Sequence, residues 1–426
     1  MRDRTVLVLA LDFPPSIGGI QEYLAGAVSA LGPSTVVLAP EPPFPWRHDL
    51  GPDVRVERVP RCPRPLRPLA WLAAVRRLMG QSAFCSVAAG HVRLGPLAWA
   101  IRRLTGLPFA VLAYGMEVTS GGHGALKRRI WRAADRIVAI SEFTRRKVVE
   151  AGAAPSRTQI LHPGLREPTR WLTGDPDRAR RRLGFSGGPV LVTVARLDKR
   201  ERYKGHDLVL ECLPGVLSRF PSLVWAVMGD GSDRMRLEIR ARDLGLKERA
   251  LFVGEIPPDE RPDWYALADV FVMPGREVKD RDGLKFEGFG IVFLEAAAAG
   301  RPVIAGRAGG APDAVAHGVT GLLVDPTDPR DLSLALLRLL SDPEEARAMG
   351  RAGRERVERE FVWEKLPVRE RLLFDPGGGA AGGGSGGEAL PPPRRHEGAG
   401  GGRGGEAPEG VRPARCRADR RRRRFQ

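Results

Sequence analysis

The chain has 426 residues, of which 42% are hydrophobic and 28% are charged. This length and apolar content suffice for two cores of ordinary domain size, and they exclude fibrous, collagen-like and wholly disordered proteins. The formal net charge of +17 lies mainly in the C-terminal tail and in residues 1–170, which contain 24 Lys and Arg against 12 Asp and Glu. The four cysteines lack the spacing of a zinc site or a disulfide framework.

The N-terminal apolar run, residues 6–11, is too short for the apolar core of a signal peptide. No later segment offers about 18 uninterrupted apolar residues, the length that a membrane-spanning helix needs. We therefore expect a cytoplasmic protein that does not cross a membrane.

Short apolar runs alternate with helical patterns along most of the chain. They are continuous rather than alternating, which is typical of parallel strands buried on both faces. The runs are residues 6–11, 35–39, 109–114, 136–140, 190–195, 224–228, 251–253, 270–273 and 302–305. Strands that alternate with helices predict an α/β fold with covered sheets.

A polar stretch with Pro and Gly, residues 163–188, divides these runs into two series. The pattern predicts two Rossmann-like domains facing a central cleft, each with its ligand site at the carboxyl ends of its strands. We place the domains at residues 1–170 and 171–352. Helices are predicted at residues 328–340, 343–361 and 363–374, and residues 353–374 are expected to return to the first domain.

Residues 375–426 form a tail in which 21 of 52 residues are Gly or Pro. Such a segment cannot bury enough apolar surface to offset the entropy lost on ordering, so we expect it to be disordered. Its run of arginines, residues 420–424, is of a kind that binds anionic surfaces, but the composition favours no specific function.

The loop after the first apolar run carries Gly18 and Gly19 and leads into a helix. Glycines let backbone amides approach a ligand closely, and the start of a helix offers unpaired N–H groups to an anion. Tight strand-to-helix turns also use two glycines for steric reasons alone. Both interpretations stay open at this point.

A second loop places two cations after the strand predicted at residues 190–195. Arg196 follows that strand, and Lys204 comes eight positions later, just before a helix. Two cations at the rim of a cleft can hold a diphosphate. The alternative is solvated loop charges, and Lys204 argues against it because the chain otherwise uses Arg for its cations, with 60 Arg and 8 Lys.

The strongest signal is a pair of carboxylates, Glu287 and Glu295. Glu287 lies in a glycine-bearing loop, and Glu295 lies inside the apolar run at residues 291–299. A charge in such a run is costly unless it is paired, and the hydroxyls of a sugar would be suitable donors. The amides of residues 289–292 would lie at a helix N-terminus and point at a phosphate. Helix capping explains Glu287 alone, but it explains Glu295 poorly.

Together these motifs resemble retaining glycosyltransferase family 4, whose members have the GT-B fold. Further matching segments are the Gly229-Asp230-Gly231 turn, Val253-Gly254, Ser141-Glu142-Phe143, Pro163-Gly164, Gly309-Gly310-Ala311-Pro312-Asp313 and Gly318-Val319-Thr320-Gly321. The matches follow the order of the family from about residue 6 to residue 374, so they cover the chain up to the tail.

The resemblance implies a GDP- or UDP-linked sugar as donor, bound mainly by the second domain, and an acceptor bound by the first. Arg196 and Lys204 would hold the diphosphate, Glu295 the ribose hydroxyls and Glu287 the donor sugar. The other implied donor-binding residues are Gly18, Gly19, Gly229, Val253, Gly254, Phe289, Gly290 and Ile291. The implied reaction moves a hexose, of mannose or glucose type, with retention of configuration and without a metal ion or other cofactor.

One departure from the family concerns Tyr114, which precedes Gly115 where many relatives have His-Gly. Tyrosine is a poor proton acceptor at neutral pH. We name Tyr114, Glu117 and Glu287 as candidate catalytic residues, and the order of Tyr114 and Glu117 around the anomeric carbon stays open. The departure also leaves two alternatives: an epimerase or phosphorylase of the same fold, and a non-catalytic glycosyltransferase-like subunit.

Residues 61–79 interleave arginines with Leu and Trp in a helical stripe. This pattern is compatible with a helix that lies on an anionic membrane surface, and residues 127–132 repeat it. The alternative is that both segments pack on the first sheet with their arginines outward. The membrane interpretation implies a lipid-linked sugar or a cell-envelope glycan as acceptor, at the inner face of the plasma membrane. Nucleic acid is not an expected partner, because the basic residues lack interleaved stacking aromatics.

Overall fold

The computed structural model describes residues 5–16, 18–33, 35–42, 54–120, 124–185, 187–372 and 374. The predicted disorder of residues 375–426, with the arginine run at 420–424, lies outside the described residues. Each apolar run of the sequence forms a strand, with ends that differ from the prediction by no more than two residues.

The first domain is built on a parallel sheet with the order β3-β2-β1-β4-β5-β6-β7 among the described residues. Its strands are β1 (Thr5–Leu9), β2 (Thr35–Pro40), β3 (Arg55–Val59), β4 (Phe84–Ala89), β5 (Phe109–Ala113), β6 (Arg136–Ala139) and β7 (Thr158–Ile160). The helices are α1 (Gly19–Leu31), α2 (Arg67–Gln81), α3 (Gly95–Thr105), α4 (Met116–Thr119), α5 (Gly124–Ala133) and α6 (Glu142–Glu150).

The second domain repeats this plan with the strand order β10-β9-β8-β11-β14-β15 in the described part of the chain. Its elements are α7 (Pro176–Leu183), β8 (Val190–Val194), α8 (His206–Leu217), β9 (Val224–Met228), α9 (Arg234–Asp243), β10 (Ala250–Gly254), α10 (Arg261–Leu267), β11 (Val270–Met273), β12 (Val278–Asp280), β13 (Gly283–Lys285), α11 (Ile291–Ala298), β14 (Val303–Gly306), α12 (Ala311–Ala314), β15 (Gly321–Val324), α13 (Pro329–Ser341), α14 (Pro343–Glu360) and α15 (Val368–Leu372). The antiparallel hairpin β12–β13 stands outside the main sheet.

Both sheets reverse their strand order at a switch point. The first sheet turns back between β1 and β4, and the second turns back between β8 and β11. In open parallel sheets, the loops at such a point separate and leave a crevice for a ligand at the carboxyl ends of the strands. The loops that carry Gly18-Gly19 and Arg196 follow β1 and β8, and Glu287 lies in the segment after β11, beyond the hairpin β12–β13. The fold therefore brings each of these sequence motifs to a crevice.

The C-terminal segment crosses from the second domain back to the first, as predicted. The indole of Trp363 packs edge-on against Tyr23 of α1, with 5.2 Å between ring centroids. A Cβ at Gly26 would lie 1.9 Å from that indole, so α1 has a glycine where the tryptophan docks. Beyond it, Arg369 donates to the carbonyl of Leu31 at 3.1 Å.

Two details of this segment differ from the prediction. The boundary placed at residue 352 falls inside the continuous helix α14. The single helix predicted at residues 363–374 is wrong: a short turn at Trp363–Lys365 is followed by α15, which begins at Val368. The break lies at Leu366, whose backbone is extended (ψ 146°), because the Pro367 ring disfavours the helical conformation of the residue before it.

Candidate active site

Arg196 and Lys204, the candidate diphosphate-binding residues, both pair with Glu201 of the same loop. The ammonium of Lys204 lies 2.7 Å from Glu201 Oε2, with both side chains largely buried. Arg196 extends into solvent, and its guanidinium lies 3.4 Å from the other oxygen of Glu201. Glu201 therefore sets the position of both cations and neutralises part of their charge; the sequence interpretation did not name it.

Glycines bring neighbouring loops against this cation pair. A Cβ at Gly229, at the end of β9, would lie 1.9 Å from the carbonyl of Ala195, the residue before Arg196. The N–H of Gly229 donates to the carbonyl of Gly254 at 2.8 Å, and Val253 lies half-buried beside it. Gly229, Val253 and Gly254 thus shape the floor beside Arg196 through their backbone, while donor contact by these residues stays a prediction.

Glu287 lies in the loop between β13 and α11, next to the same cations. Burial raises the pKa of Glu287, and the positive charge of Lys204 opposes that rise. The loop is fixed by the N–H of Gly310, which donates to the carbonyl of Glu287 at 2.8 Å. A Cβ at Gly309 would lie 2.4 Å from that carbonyl, at a backbone φ of +56°, so the glycine pair permits this close approach.

The start of α11 faces the glycine loop of the first domain. Gly290 caps the helix at φ 89°, and Phe289 before it is buried. A Cβ at Gly19 would lie 3.9 Å from Ile291 Cδ1, which puts the two loops on opposite sides of a narrow cleft. Gly18 adopts an extended backbone at the start of α1. The structure therefore brings the Gly18-Gly19 loop close to Ile291 at the start of α11, and donor binding by these residues stays a prediction.

Direct backbone contact joins the Glu287 loop to Tyr114. A Cβ at Gly288 would lie 2.4 Å from the carbonyl of Tyr114, and a Cβ at Gly115 would lie 2.7 Å from the ring of Phe286. The hairpin β12–β13 reinforces this contact because Thr119 Oγ1 donates to the carbonyl of Leu284 at 2.7 Å. The hairpin therefore links the two domains beside the candidate catalytic residues.

Tyr114 and Glu117 hold this loop through their own contacts. The Tyr114 hydroxyl donates to the carbonyl of Gly90 at 2.9 Å, and burial raises the pKa of Tyr114 well above its usual value. Glu117 Oε1 accepts the N–H groups of Tyr114 at 2.5 Å and Gly115 at 3.3 Å. Burial also raises the pKa of Glu117. These contacts give both residues a positioning role, and a catalytic role for either stays a prediction.

Glu295 is buried and already has a protein donor. The hydroxyl of Tyr265 donates to Glu295 Oε2 at 2.6 Å. Burial raises the pKa of Glu295, and Arg261 and the Tyr265 hydrogen bond oppose that rise. The sequence reasoning correctly identified an unusual buried carboxylate but missed Tyr265, which is thirty positions away and on another helix. Contact of Glu295 with ribose hydroxyls stays a prediction.

His91 is a cleft residue that the sequence interpretation missed. It follows β4, one residue after the carbonyl that binds Tyr114, and its Nδ1 accepts the N–H of Arg93 at 3.1 Å. Burial lowers the pKa of His91 to about 4, aided by the charges of Arg93 and Lys127, so the imidazole is neutral at pH 7. Because β4 was not among the predicted strands, the sequence carried no signal that placed His91 at the switch point.

Asp313 joins the two domains at a second contact. Its Oδ2 accepts the N–H of Glu142, at the start of α6, at 2.6 Å and lies 3.1 Å from His162 Nε2. The His162 ring in turn packs on Phe289, with 5.5 Å between ring centroids. The family segments around Ser141 and Asp313 therefore serve the contact between domains.

The two basic segments of the first domain behave differently. In α2, Ala74, Val75 and Leu78 are buried, whereas Leu69 and Leu72 are 63% and 48% exposed, and Leu66 just before the helix is 50% exposed. In α5, Ile130 and Trp131 are buried, and Lys127 donates to backbone carbonyls of the α4 region. Packing on the sheet therefore accounts for the apolar side chains Ile130 and Trp131 of α5, but it leaves an exposed apolar stripe on α2.

Two properties of the described residues bear on metal binding and on membranes. These residues contain no group of three or more His, Cys, Asp or Glu side chains placed to hold a metal ion. None of their helices is long and apolar enough to cross a bilayer.

Comparison with known proteins identifies relatives along both domains. The family model described as "Glycosyl transferases group 1" matches residues 175–356, and the one described as "Glycosyl transferase 4-like domain" matches residues 18–164. The GDP-mannose-dependent alpha-(1-6)-phosphatidylinositol monomannoside mannosyltransferase of Mycolicibacterium smegmatis is 37% identical over 370 residues, which cover 82% of this chain and 92% of that protein. A GDP-mannose-dependent monoacylated alpha-(1-6)-phosphatidylinositol monomannoside mannosyltransferase of Corynebacterium glutamicum is 32% identical over 373 residues, covering 85% and 95%.

Among solved structures, the Anabaena HepE protein in complex with UDP and glucose has a TM-score of 0.70 at 20% identity, covering 84% of this chain and 96% of that chain. That likeness shows the fold, two Rossmann-like domains in the GT-B arrangement. The sequence relatives cover the same two domains at higher identity. The chain therefore belongs to glycosyltransferase family 4, the glycosyl transferases group 1, and is a hexosyltransferase of the GT-B fold.

Proposed function

We propose that this protein transfers mannose from GDP-mannose to a phosphatidylinositol mannoside, with retention of configuration and without a metal ion. The observation that carries the donor and acceptor is the 37% identity to the Mycolicibacterium enzyme across 92% of its length. The positively charged loop after β8 supports a diphosphate donor, because Arg196 and Lys204 stand together at the switch point.

In the proposed reaction, Arg196 and Lys204 stabilise the negative charge that develops on the GDP leaving group. Glu287 and the backbone at residues 289–291 hold the mannose. The bond between mannose C1 and the β-phosphate oxygen breaks, and an acceptor hydroxyl oxygen bonds to C1 on the same face. The acceptor proton passes to the departing phosphate oxygen, so the products are the mannosylated lipid and GDP.

A lipid acceptor requires the enzyme to work at a membrane surface. The exposed leucines of α2 recur about one turn apart and share the helix with Arg67 and Arg76, an arrangement that suits peripheral binding to anionic lipid. We place the protein peripherally, at the inner face of the plasma membrane.

The test is transfer by the full-length protein from GDP-mannose, UDP-glucose and UDP-galactose to phosphatidylinositol monomannoside in mixed vesicles, with and without EDTA. We expect a dimannosylated lipid and free GDP with GDP-mannose, an α-linkage by NMR, and an unchanged rate in EDTA. Transfer from a UDP-sugar alone, or a strict Mg²⁺ requirement, would contradict the proposal. Donor binding without turnover on any acceptor would favour a non-catalytic subunit.

A further inference from the structure

The loop between β8 and α8 holds a buried tyrosine, Tyr203, directly before Lys204. It lies in a short helical turn at Arg202–Lys204, and its side chain is only 5% exposed. The proposed reaction uses the two cations of this loop, Arg196 and Lys204, to hold the diphosphate. It leaves Tyr203, which lies between them in the chain, without a role.

The backbone of Tyr203 is fixed against the segment that follows β11. Its carbonyl accepts the N–H of Arg276 at 2.7 Å. A Cβ at Gly205 would lie 2.2 Å from the carbonyl of Pro274, so the glycine allows the two segments to touch. β8 and β11 lie on the two sides of the switch point of the second sheet, where open parallel sheets bind their ligands. The tyrosine is therefore held at the place where the fold offers a ligand site.

The hydroxyl of Tyr203 has no hydrogen-bond partner among the residues that the structure describes. Buried tyrosine hydroxyls normally find a partner. The chain has four tyrosines, and the hydroxyls of the other three, Tyr23, Tyr114 and Tyr265, each donate to a protein acceptor. The Tyr203 oxygen is also not sealed by protein atoms, unlike the unpaired Nε2 of His206. A ligand can therefore reach this oxygen and supply the missing partner.

The charged groups that face the Tyr203 hydroxyl belong to the candidate active site. The carboxylates of Glu287 and Glu201 act on it, and the guanidinium of Arg196 opposes them. A Cβ at Gly275 would lie 3.7 Å from the carbonyl oxygen of Tyr203 and 3.8 Å from Glu287 Cβ, so both residues flank the same glycine. Burial, reinforced by the two carboxylates, raises the pKa of Tyr203. The hydroxyl is therefore protonated at neutral pH, and it can donate one hydrogen bond and accept another.

The charges beside this hydroxyl favour a neutral ligand group over a phosphate oxygen. A phosphate placed against it would meet the negative charge of Glu287 and Glu201, and such repulsion is strong where burial lowers the effective dielectric constant. A sugar hydroxyl carries no charge, and it both donates and accepts, as the phenol does. The donor sugar is expected beside Glu287, so it is the part of the donor that comes within reach of Tyr203.

We infer that Tyr203 is a donor-binding residue whose phenolic oxygen forms a hydrogen bond with a hydroxyl of the transferred sugar, beside Glu287. The inference rests on the proposed function, because it assigns a protein contact to the sugar that the reaction transfers. Tyr203 binds and orients this sugar, and it takes part in no proton transfer. One loop thereby recognises two parts of the donor: its cations hold the diphosphate, and its tyrosine selects the sugar.

The test is the full-length variant Tyr203→Phe, which removes a single oxygen atom. Its matched control is Tyr23→Phe, which removes a buried hydroxyl of α1 that donates to the carbonyl of Leu161 at 3.0 Å. Calorimetry measures the binding of GDP-mannose and of GDP. We expect Tyr203→Phe to bind GDP-mannose about 2- to 13-fold more weakly, the effect of one hydrogen bond, and to bind GDP as the wild type does. We expect the control to bind both ligands as the wild type does.

Thermal unfolding of the unliganded protein separates a binding role from a structural one. The melting temperature of Tyr203→Phe should equal that of the wild type, because the hydroxyl has no protein partner to lose. The control should melt at a lower temperature, because it loses a buried hydrogen bond. Equal losses of GDP and GDP-mannose affinity in Tyr203→Phe would overturn the inference, and so would GDP-mannose binding that matches the control.

Analogues of GDP-mannose that each lack one sugar hydroxyl identify the contact. We expect one analogue to bind the wild type as weakly as GDP-mannose binds Tyr203→Phe, and to lose no further affinity in that variant. Additive losses for every analogue would contradict a direct contact. Titrations with UDP-glucose and UDP separate the two proposals. If the wild type binds only this uridine pair and transfers no mannose, the proposed function fails, while a selective loss of UDP-glucose affinity in Tyr203→Phe retains the sugar contact.

Discussion

Replacing Lys204 by alanine tests the diphosphate site most directly. Its ammonium lies 2.7 Å from Glu201, is largely buried, and neighbours the loop that carries Glu287. A charge-assisted hydrogen bond contributes about 1.5–3 kcal/mol, so its loss should weaken GDP binding about 10- to 150-fold. Guanosine lacks the diphosphate, and we expect its affinity to stay within about twofold of the wild-type value.

The ion pair between Lys204 and Glu201 allows a second variant to test the diphosphate site. Lys204→Ala also leaves the Glu201 carboxylate without its ammonium and close to the diphosphate, so part of the loss is repulsion. Glu201→Gln keeps an acceptor for Lys204 but removes one negative charge. We expect this variant to bind GDP up to about fivefold more tightly, the size of a partly exposed ion pair, and we expect Lys204→Ala/Glu201→Gln to recover part of the loss.

The assay is isothermal titration with GDP, GMP and guanosine at two salt concentrations, because phosphate contacts weaken as salt rises. Lys147→Ala is the matched control, since Lys147 pairs with Glu150 at 2.9 Å at the same spacing but on α6 of the first domain. Equal losses for GDP and guanosine would refute the reasoning, as would GDP binding by Lys204→Ala that matches the control.

The remaining predictions concern Glu287, Glu295 and His91. Glu287→Gln should reduce kcat for mannose transfer by about a hundredfold or more while GDP affinity changes little. Wild-type turnover by this variant would show that Glu287 has no role in the reaction. Because burial raises the pKa of Glu295, the stability that this residue contributes is present below its unfolded pKa and is lost as pH rises through the folded pKa. Urea unfolding should therefore show the wild type losing stability relative to Glu295→Gln as the pH rises above the unfolded pKa of about 4, and parallel curves would contradict the shift. His91→Gln should impair transfer without changing the pH profile above about pH 6, because the pKa of His91 is already about 4; a profile altered near neutrality would show that His91 titrates during the reaction.

The strands that the sequence predicted are buried on both faces, although two further buried strands, β4 and β15, were not predicted. β1, β5 and β8 are continuous apolar runs, and that pattern has few alternatives in a chain of alternating strands and helices. The edge strand β3 was not predicted because arginine and glutamate alternate with its valines. The edge strand β7 was not predicted because it has only three residues. Edge and short strands bury less surface, so their sequences carry a weaker signal.

For the site, the sequence located the loops but not the partners of their side chains. Gly18-Gly19, Arg196, Lys204 and residues 287–295 could be found because a phosphate or a buried charge demands particular residue types at close spacing. Glu201 is near Lys204 in the chain, but its double role depends on how the loop folds back. Tyr265 and His91 come from distant strands and helices, and no spacing rule joins them to the motifs.

The sequence by itself determined the α/β architecture, the family and the loops that form the cleft, because apolar periodicity and glycine- and charge-bearing motifs are local properties of a chain. Only the tertiary structure decided that the Tyr114 hydroxyl donates to the carbonyl of Gly90, that Glu295 is held by Tyr265 and that α2 keeps two leucines in solvent. Those outcomes depend on which groups the packing of separate elements brings within hydrogen-bond distance or leaves uncovered. Such contacts join residues far apart in the chain, and the sequence does not encode them at any single place.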